Sequence, residues 1–278
     1  HMRVLTDDQK GDPSKMPTKA NIMASMKWLV EGAKSGDSLF FHYSGHGGTQ
    51  KDNGADEADG CDETLVPLDY ETVGIILDDD IHAALVASLP EGVRLTGVMD
   101  CCHSGSIFDL PYTYGMNASN AVYEKDNRKA AIQAALAAGL LLVKGDSASA
   151  FAKGKEAFTL FTSAPPPAAA GQAPAAAAPP EGTTYSTHAS SVKIKTTVAD
   201  VIQFSGCRDE QTSADAQMGG KACGAMSWAL IKSFNEKGMD QTYVDLLGNV
   251  RTNLQGRFQQ VPQMSAGHRM NMGVKFLM

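Results

Sequence analysis

The sequence predicts an α/β fold, with a mostly parallel central β-sheet flanked by helices on both faces in a three-layer α/β/α sandwich. Three observations carry this. Two apolar runs of strand length, residues 37–43 and 94–99, lack strict alternation and read as strands buried on both faces. Segments of helical apolar spacing stand between and after them, as crossover connections require. Both runs end in glycine-containing loops that carry a reactive side chain, where open α/β sheets build their sites.

The first helix is marked by Pro17-Thr18, with Thr18 as N-cap, and by Ile22, Met23, Met26, Leu29 and Val30 at helical spacing; Gly32 and Gly36 close it. The strand at 37–43 runs into the glycine-rich loop Ser44-Gly45-His46-Gly47-Gly48. Residues 49–63 are polar and acidic and read as a loop. Residues 64–67 and 73–77 are short strand-like pieces. Asp78-Asp79-Asp80 precedes a helix over 81–89, where acidic residues suit the helix dipole. The second buried strand, 94–99, ends in Asp100-Cys101-Cys102-His103-Ser104-Gly105. Residues 113–163 are mixed, with an Ala-rich helical stretch over 129–143. Residues 164–190 are dominated by Pro, Ala and Gly and read as a disordered linker, because such a segment buries too little side chain to offset its ordering entropy. A strand at 198–204, amphipathic helices at 222–234 and 243–254, and a last strand at 274–277 complete the pattern. The expected organisation is therefore 1–163, a linker at 164–190, and 191–278 as the second part of one domain.

The chain has 278 residues and 43% hydrophobic residues, enough for a sizeable core. The formal net charge of −7 argues against nucleic acid as a partner. No apolar run reaches membrane-spanning length, and no secretory leader is visible. Five cysteines, with one adjacent pair and no Cys-x-x-Cys spacing, make a poor disulfide or zinc framework. Reduced thiols in the cytoplasm fit best.

His46 and Cys102 stand at matched strand ends, fifty-six residues apart. A cysteine attacks a carbonyl as its thiolate, and a nearby imidazole can take the proton and return it to the leaving amine. Cys101 is the rival nucleophile; neighbours on a strand face opposite ways, so the two cannot be equivalent. Backbone N–H groups at Gly47 and Cys102 could form an oxyanion hole.

His42-Tyr43-Ser44-Gly45-His46-Gly47 and Asp100-Cys101-Cys102-His103-Ser104-Gly105 resemble the two signature motifs of metacaspases, type I. Asp109-Leu-Pro-Tyr-Thr-Tyr114, the stretch from Ser205 to Asp215, Gly224-Ala-Met-Ser-Trp228 and Pro262-Gln-Met-Ser265 resemble further family segments. The related caspases also place a histidine about fifty residues before the cysteine. The resemblance implies a caspase-like fold and a cysteine endopeptidase, with 1–163 and 191–278 similar to the large and small subunits. It implies His46 and Cys102 as the catalytic pair, with His42 and His103 structural or supporting. It implies cleavage after Arg or Lys, with Ser44 and Asp100 lining the acidic S1 pocket; the plainer reading of Asp100 is a loop cap. It implies Ca2+ as activator, held by Asp62, Asp78, Asp79 and Asp109, with Asp56, Glu57, Asp59, Glu63 and Asp80 as nearby alternatives and a solvated acidic face as the plainer reading. It also implies a monomer, zymogen-like self-processing and a link to programmed cell death.

Lys153 and Lys155, just before the linker, are the expected self-cleavage sites, with Lys144 and Arg128 as alternatives. The family pattern also begins with a strand and helix ahead of Arg3, which this sequence does not contain. That keeps open a second function, a catalytically impaired scaffold that binds partners. A metal-binding module built on Cys61, Cys101, Cys102 and His103 ranks last, for want of regular ligand spacing.

Overall fold

Thr18 opens the first helix, α1 (Lys19–Val30), by accepting the Asn21 N–H at 3.3 Å, which satisfies one of the donors a helix start leaves bare. Ile22 and Met26, one turn apart, turn inward, and each contributes about 1.5–3 kcal/mol by leaving water. Gly32 and Gly36 follow with positive φ, as the sequence predicts for a helix stop. The computed structural model describes residues 1–51, 61–102, 104–105, 107–116, 122–126, 197–206, 215–218, 221–258 and 260–278. The expected linker at 164–190 and Ala-rich helix at 129–143 lie outside the described residues, as do Lys153, Lys155, Lys144 and Arg128.

After α1 come β1 (Ser38–Ser44), β2 (Gly47–Lys51), β3 (Cys61–Leu65), the short helix α2 (Tyr70–Val73) and β4 (Ile76–Leu77). A helical turn α3 (Asp78–Ile81) continues as a π-helical turn over His82–Val86, and β5 (Arg94–Asp100) follows. Then come β6 (Tyr112–Met116), β7 (Val122–Asp126), β8 (Asp200–Ser205), β9 (Asp215–Met218) and β10 (Lys221–Gly224). The helices α4 (Ala225–Lys237) and α5 (Tyr243–Leu254) precede β11 (Gln263–Ala266).

The central sheet has the order β1-β5-β8-β11-β6-β7. β1, β5 and β8 run parallel, and β11, β6 and β7 complete the sheet through antiparallel pairings. Strands on both sides of the expected linker thus share one sheet. Alternation along β5 sends Leu95 and Met99 to one face and Val98 to the other. The first face packs on α1 and the α3 segment through Met26, Ile81 and Leu85. The second packs on α4 and α5 through Met226, Leu230, Leu246 and Val250. This is the three-layer α/β sandwich expected from the sequence. Arg94 and Asp200 tie the starts of β5 and β8 by an ion pair, with Arg94 Nε 2.8 Å from Asp200 Oδ2.

Several elements differ from the sequence reading. Among the described residues β1 stands at the edge of the sheet, and its residues alternate between exposed and half-buried, whereas β5 is buried along almost its whole length. Residues 49–63, read as a loop, contribute β2 and β3 to a small antiparallel sheet with β4. Val73 ends a helix instead of starting a strand, and β6 and β7 form an antiparallel pair within the stretch read as mixed. Residues 274–277 form no strand; Lys275 makes one isolated bridge to Thr242, and the final strand is β11.

Candidate active site

β1 and β5 are parallel neighbours in a register that pairs Ser44 with Asp100, the last residue of each strand. His46 and Cys102 each lie two residues beyond that pair, so both loops leave the sheet at the same level. The Gly45 N–H donates to the Asp100 carbonyl at 3.4 Å, a long contact that extends the pairing one step past the strands. Gly47 then lies so close to the second loop that a Cβ built on it would stand 2.3 Å from the Cys102 carbonyl oxygen and 3.1 Å from Cys101 Sγ. Any larger residue there must push the loops apart, which explains glycine after His46.

The loop carrying His46 is fixed from two sides. The Val66 N–H donates to the His46 carbonyl at 3.0 Å, and the Tyr43 hydroxyl lies 2.9 Å from the same oxygen and 3.1 Å from the Val66 carbonyl. Burial pushes the Tyr43 phenol well above its ordinary range, so it stays a proton donor. The ladder bond at Val66 makes Gly47 and Leu65 a pair whose own N–H groups point away from each other. His46 is exposed.

The adjacent cysteines have different surroundings. Cys101 is fully buried among the apolar residues of the α1 face, while Cys102 is half-buried and reachable from solvent. The cysteines at 61 and 223 lie in β3 and β10. Cys207 and His103 lie outside the described residues.

Asp100 is buried, and its Oδ2 accepts the Ser227 N–H at 2.7 Å. Ser227 lies in the first turn of α4, whose N-cap Gly224 has no side chain to offer. A carboxylate from β5 therefore supplies the cap that the helix's own sequence lacks, and its charge faces the positive end of the helix dipole. A Cβ on Gly224 would stand 2.0 Å from Asp100 Oδ2, so the helix start must be glycine for the carboxylate to reach it. Oδ1 is turned toward Gly206. Asp100 thus caps a helix 127 residues away and not, as its plainer reading had it, its own loop. Ser44, its register partner, is exposed. His42, two residues earlier on the same side of β1, places Nε2 2.9 Å from Ser227 Oγ. Crowding by protein atoms lowers its proton affinity although the residue keeps solvent contact, and the Asp100 carboxylate offsets this in part.

The carboxylates of Asp78, Asp79 and Asp109 converge, each offering an oxygen within 4.8 Å of the others. Asp78 and Asp109 are buried and Asp79 is exposed. Asp78 is fixed by backbone, with Oδ1 accepting the Asp79 N–H at 2.8 Å and Oδ2 the Glu63 N–H at 3.1 Å. Asp109 has φ 50°, the one non-glycine residue with positive φ among the described residues. Asp62 is not part of this group; it precedes Glu63 on β3 and is itself buried. Of the alternatives, Glu63 donates its backbone N–H to Asp78, Asp80 lies in α3 outside the group, and Asp56, Glu57 and Asp59 lie outside the described residues. Clustered, partly buried carboxylates repel one another unless a cation joins them, and hard oxygen donors of this kind fit Ca2+.

Three side chains gained importance only in space: Tyr43, Ser227 and His42. Gly224 was the signal available for Ser227, because a helix that starts on glycine draws its cap from elsewhere.

Among the described residues, no helix is long and apolar enough to cross a membrane. Residues 1–111 match the family described as "Metacaspase, peptidase C14 domain". The chain is 42% identical to Metacaspase-1 of Cryptococcus neoformans var. neoformans serotype D, over 99% of this chain and 55% of that protein. It is 43% identical to Metacaspase-1 of Ajellomyces capsulatus, over 100% of this chain and 71% of that protein. The chain thus spans between about half and about seven tenths of these relatives' length. A crystal structure of a Geobacter sulfurreducens protein shares the fold, with a TM-score of 0.52 at 19% identity, over 95% of this chain and 78% of that one. With these similarities over nearly its whole length, the chain belongs to the metacaspase family.

Proposed function

We propose that this chain carries the catalytic machinery of a cysteine endopeptidase that cleaves after Arg or Lys, with Cys102 as nucleophile and His46 as acid–base partner. The observation that carries the reading is the pairing of Ser44 with Asp100, which sends His46 and Cys102 out of the sheet side by side, with Gly47 against the Cys102 carbonyl. Membership of a peptidase family supports it.

The roles follow from exposure. Cys102 can meet a peptide, whereas Cys101 is sealed in the core. Proton transfer from the Cys102 thiol to His46 yields the thiolate, which attacks the scissile carbonyl carbon. The new C–S bond forms, the C–N bond breaks, and His46 gives its proton to the departing amine. Water, deprotonated by His46, then attacks the thioester, releasing the acid and restoring the thiol. The Gly47 N–H, turned away from β3, and the Cys102 N–H are the donors for the transient oxyanion.

Asp100 and Ser44 at the strand ends give the substrate pocket its charge and a hydroxyl, a match for a guanidinium or ammonium. Asp78, Asp79 and Asp109 would hold Ca2+, which supplies a structural tie and no thiol chemistry. That tie would fasten β3 and α3 to the segment that follows the Cys102 loop and precedes β6. Self-cleavage at Lys153 or Lys155 by a monomeric, cytoplasmic enzyme completes the reading.

The test is a fluorogenic peptide ending in Arg or Lys, with and without calcium, on the parent chain and on Cys102→Ala. Calcium-dependent release that Cys102→Ala abolishes supports the reading. Equal release by both proteins contradicts it.

A further inference from the structure

The Asp100 carboxylate that caps α4 has polar side chains of β1 beside it. Phe40, His42 and Ser44 share one side of β1, the side on which Val98 and Asp100 of β5 meet the α4 layer. Among the described residues, Phe40 is 45% exposed, and His42 and Ser44 are exposed. The first turn of α4 reaches across: Ser227 donates its N–H to Asp100 and places its hydroxyl 2.9 Å from His42 Nε2. His42, Ser44 and Ser227 therefore gather around the buried Asp100 carboxylate, with His42 and Ser44 open to solvent.

We propose that His42, held by Ser227, forms a wall of the Asp100 pocket and makes its affinity for cationic side chains depend on pH. This rests on the reading of Asp100 and Ser44 as the pocket for Arg or Lys. Neutral His42 leaves the Asp100 carboxylate as the local charge, and a guanidinium meets an anionic pocket. Protonated His42 places a cation on the same face, neutralises part of that field and repels the incoming one. The groups around His42 are compatible with this role. Among the described residues, the charged group acting on it from a neighbouring element is Asp100 of β5, and α4 presents only the Ser227 hydroxyl. His42 is a positioning and specificity residue, distinct from the pair at His46 and Cys102. Its lowered proton affinity fits a side chain that stays neutral at ordinary cellular pH.

The test is calorimetric binding of an arginine-ended peptide to the Cys102→Ala protein, with a norleucine-ended peptide as neutral control, between about pH 8 and about pH 5. Affinity for the arginine peptide should fall about tenfold toward the acid end, from charge repulsion at close range. The same protein carrying His42→Gln should lose that slope. His42 ring signals in the NMR spectrum should also titrate at lower pH when the arginine peptide is bound, by linkage; this readout needs no second substitution. An acid-side fall that persists in His42→Gln, or a His42 titration that the peptide does not move, overturns the inference while leaving the pocket in place. Equal affinity for the arginine and norleucine peptides at every pH, together with no loss in Asp100→Asn, overturns the pocket reading and the inference with it.

Discussion

The Tyr43 hydroxyl lies 2.9 Å from the carbonyl of His46, three residues further along the chain. The strand that delivers the imidazole thus also clamps its backbone, and the same hydroxyl reaches the Val66 carbonyl at 3.1 Å. Tyr43→Phe keeps the ring in place and removes the clamp. Stability should fall by about 1 kcal/mol, the net worth of such a bond. Because the loss falls on the orientation of His46 and not on substrate contacts, kcat should drop while KM changes little. Chemical unfolding and steady-state kinetics on the same preparation measure both.

Gly47 and Gly48 make a paired test of loop approach. A Cβ at Gly47 would stand 2.3 Å from the Cys102 carbonyl, whereas at Gly48 the nearest atom is Thr64 Oγ1 at 3.4 Å. Gly47→Ala forces backbone apart by about 1 Å, a displacement that can cost about a hundredfold in rate. Gly48→Ala needs only a small side-chain adjustment and should keep most activity. Comparing kcat/KM for the two proteins checks this.

The adjacent cysteines should part company under alkylation. Brief treatment with iodoacetamide, followed by peptide mapping, should mark Cys102 and spare Cys101, which is fully buried. Cys101→Ala should cost about 1–2 kcal/mol of stability from a small core cavity, and leave the peptidase working. Cys102→Ala should abolish it.

Calcium should raise the unfolding temperature if Asp78, Asp79 and Asp109 hold it, by an amount that grows with concentration. At a hundredfold excess over the dissociation constant the gain is about 2.7 kcal/mol. Asp109→Asn should remove most of that gain. Thermal unfolding at several calcium concentrations gives the answer.

At alkaline pH the tyrosines should set the limit. Burial raises the pKa of Tyr43, Tyr114 and Tyr243 above the ordinary 10.0. Above that value the unfolded chain gives up phenol protons that the folded chain keeps. The unfolded state then binds fewer protons, so stability falls as pH rises. The contribution is complete below about pH 10 and is lost as pH climbs toward the folded values. Denaturant unfolding from neutral to strongly alkaline pH, read beside phenolate absorbance, should show ionisation and unfolding together.

Much of this was legible because it is local. Residues 243–254 coincide with α5, since apolar spacing and the cap at Thr242 both act within a few residues. The reactive loops were legible because His46 and Cys102 end recognisable apolar runs. What escaped was long-range. Whether 37–43 is a central or an edge strand depends on what pairs with it, and its composition cannot say; among the described residues it stands at the edge. β6 and β7 are stabilised by cross-strand partners, with weak signals of their own. Asp100 serves α4 across 127 residues, and only the glycine at 224 hinted at it. Asp62 falls outside the converging carboxylates, which its position in the sequence does not foretell.

The most direct measurement is the rate of carboxymethylation at Cys102 near neutral pH, followed by peptide mapping, in the parent chain and in His46→Ala. If the imidazole draws the thiol proton across the two strand tips, removing it should slow modification of Cys102 by about tenfold or more. An unchanged rate would show that the two side chains do not share a proton, and would contradict the account at its root.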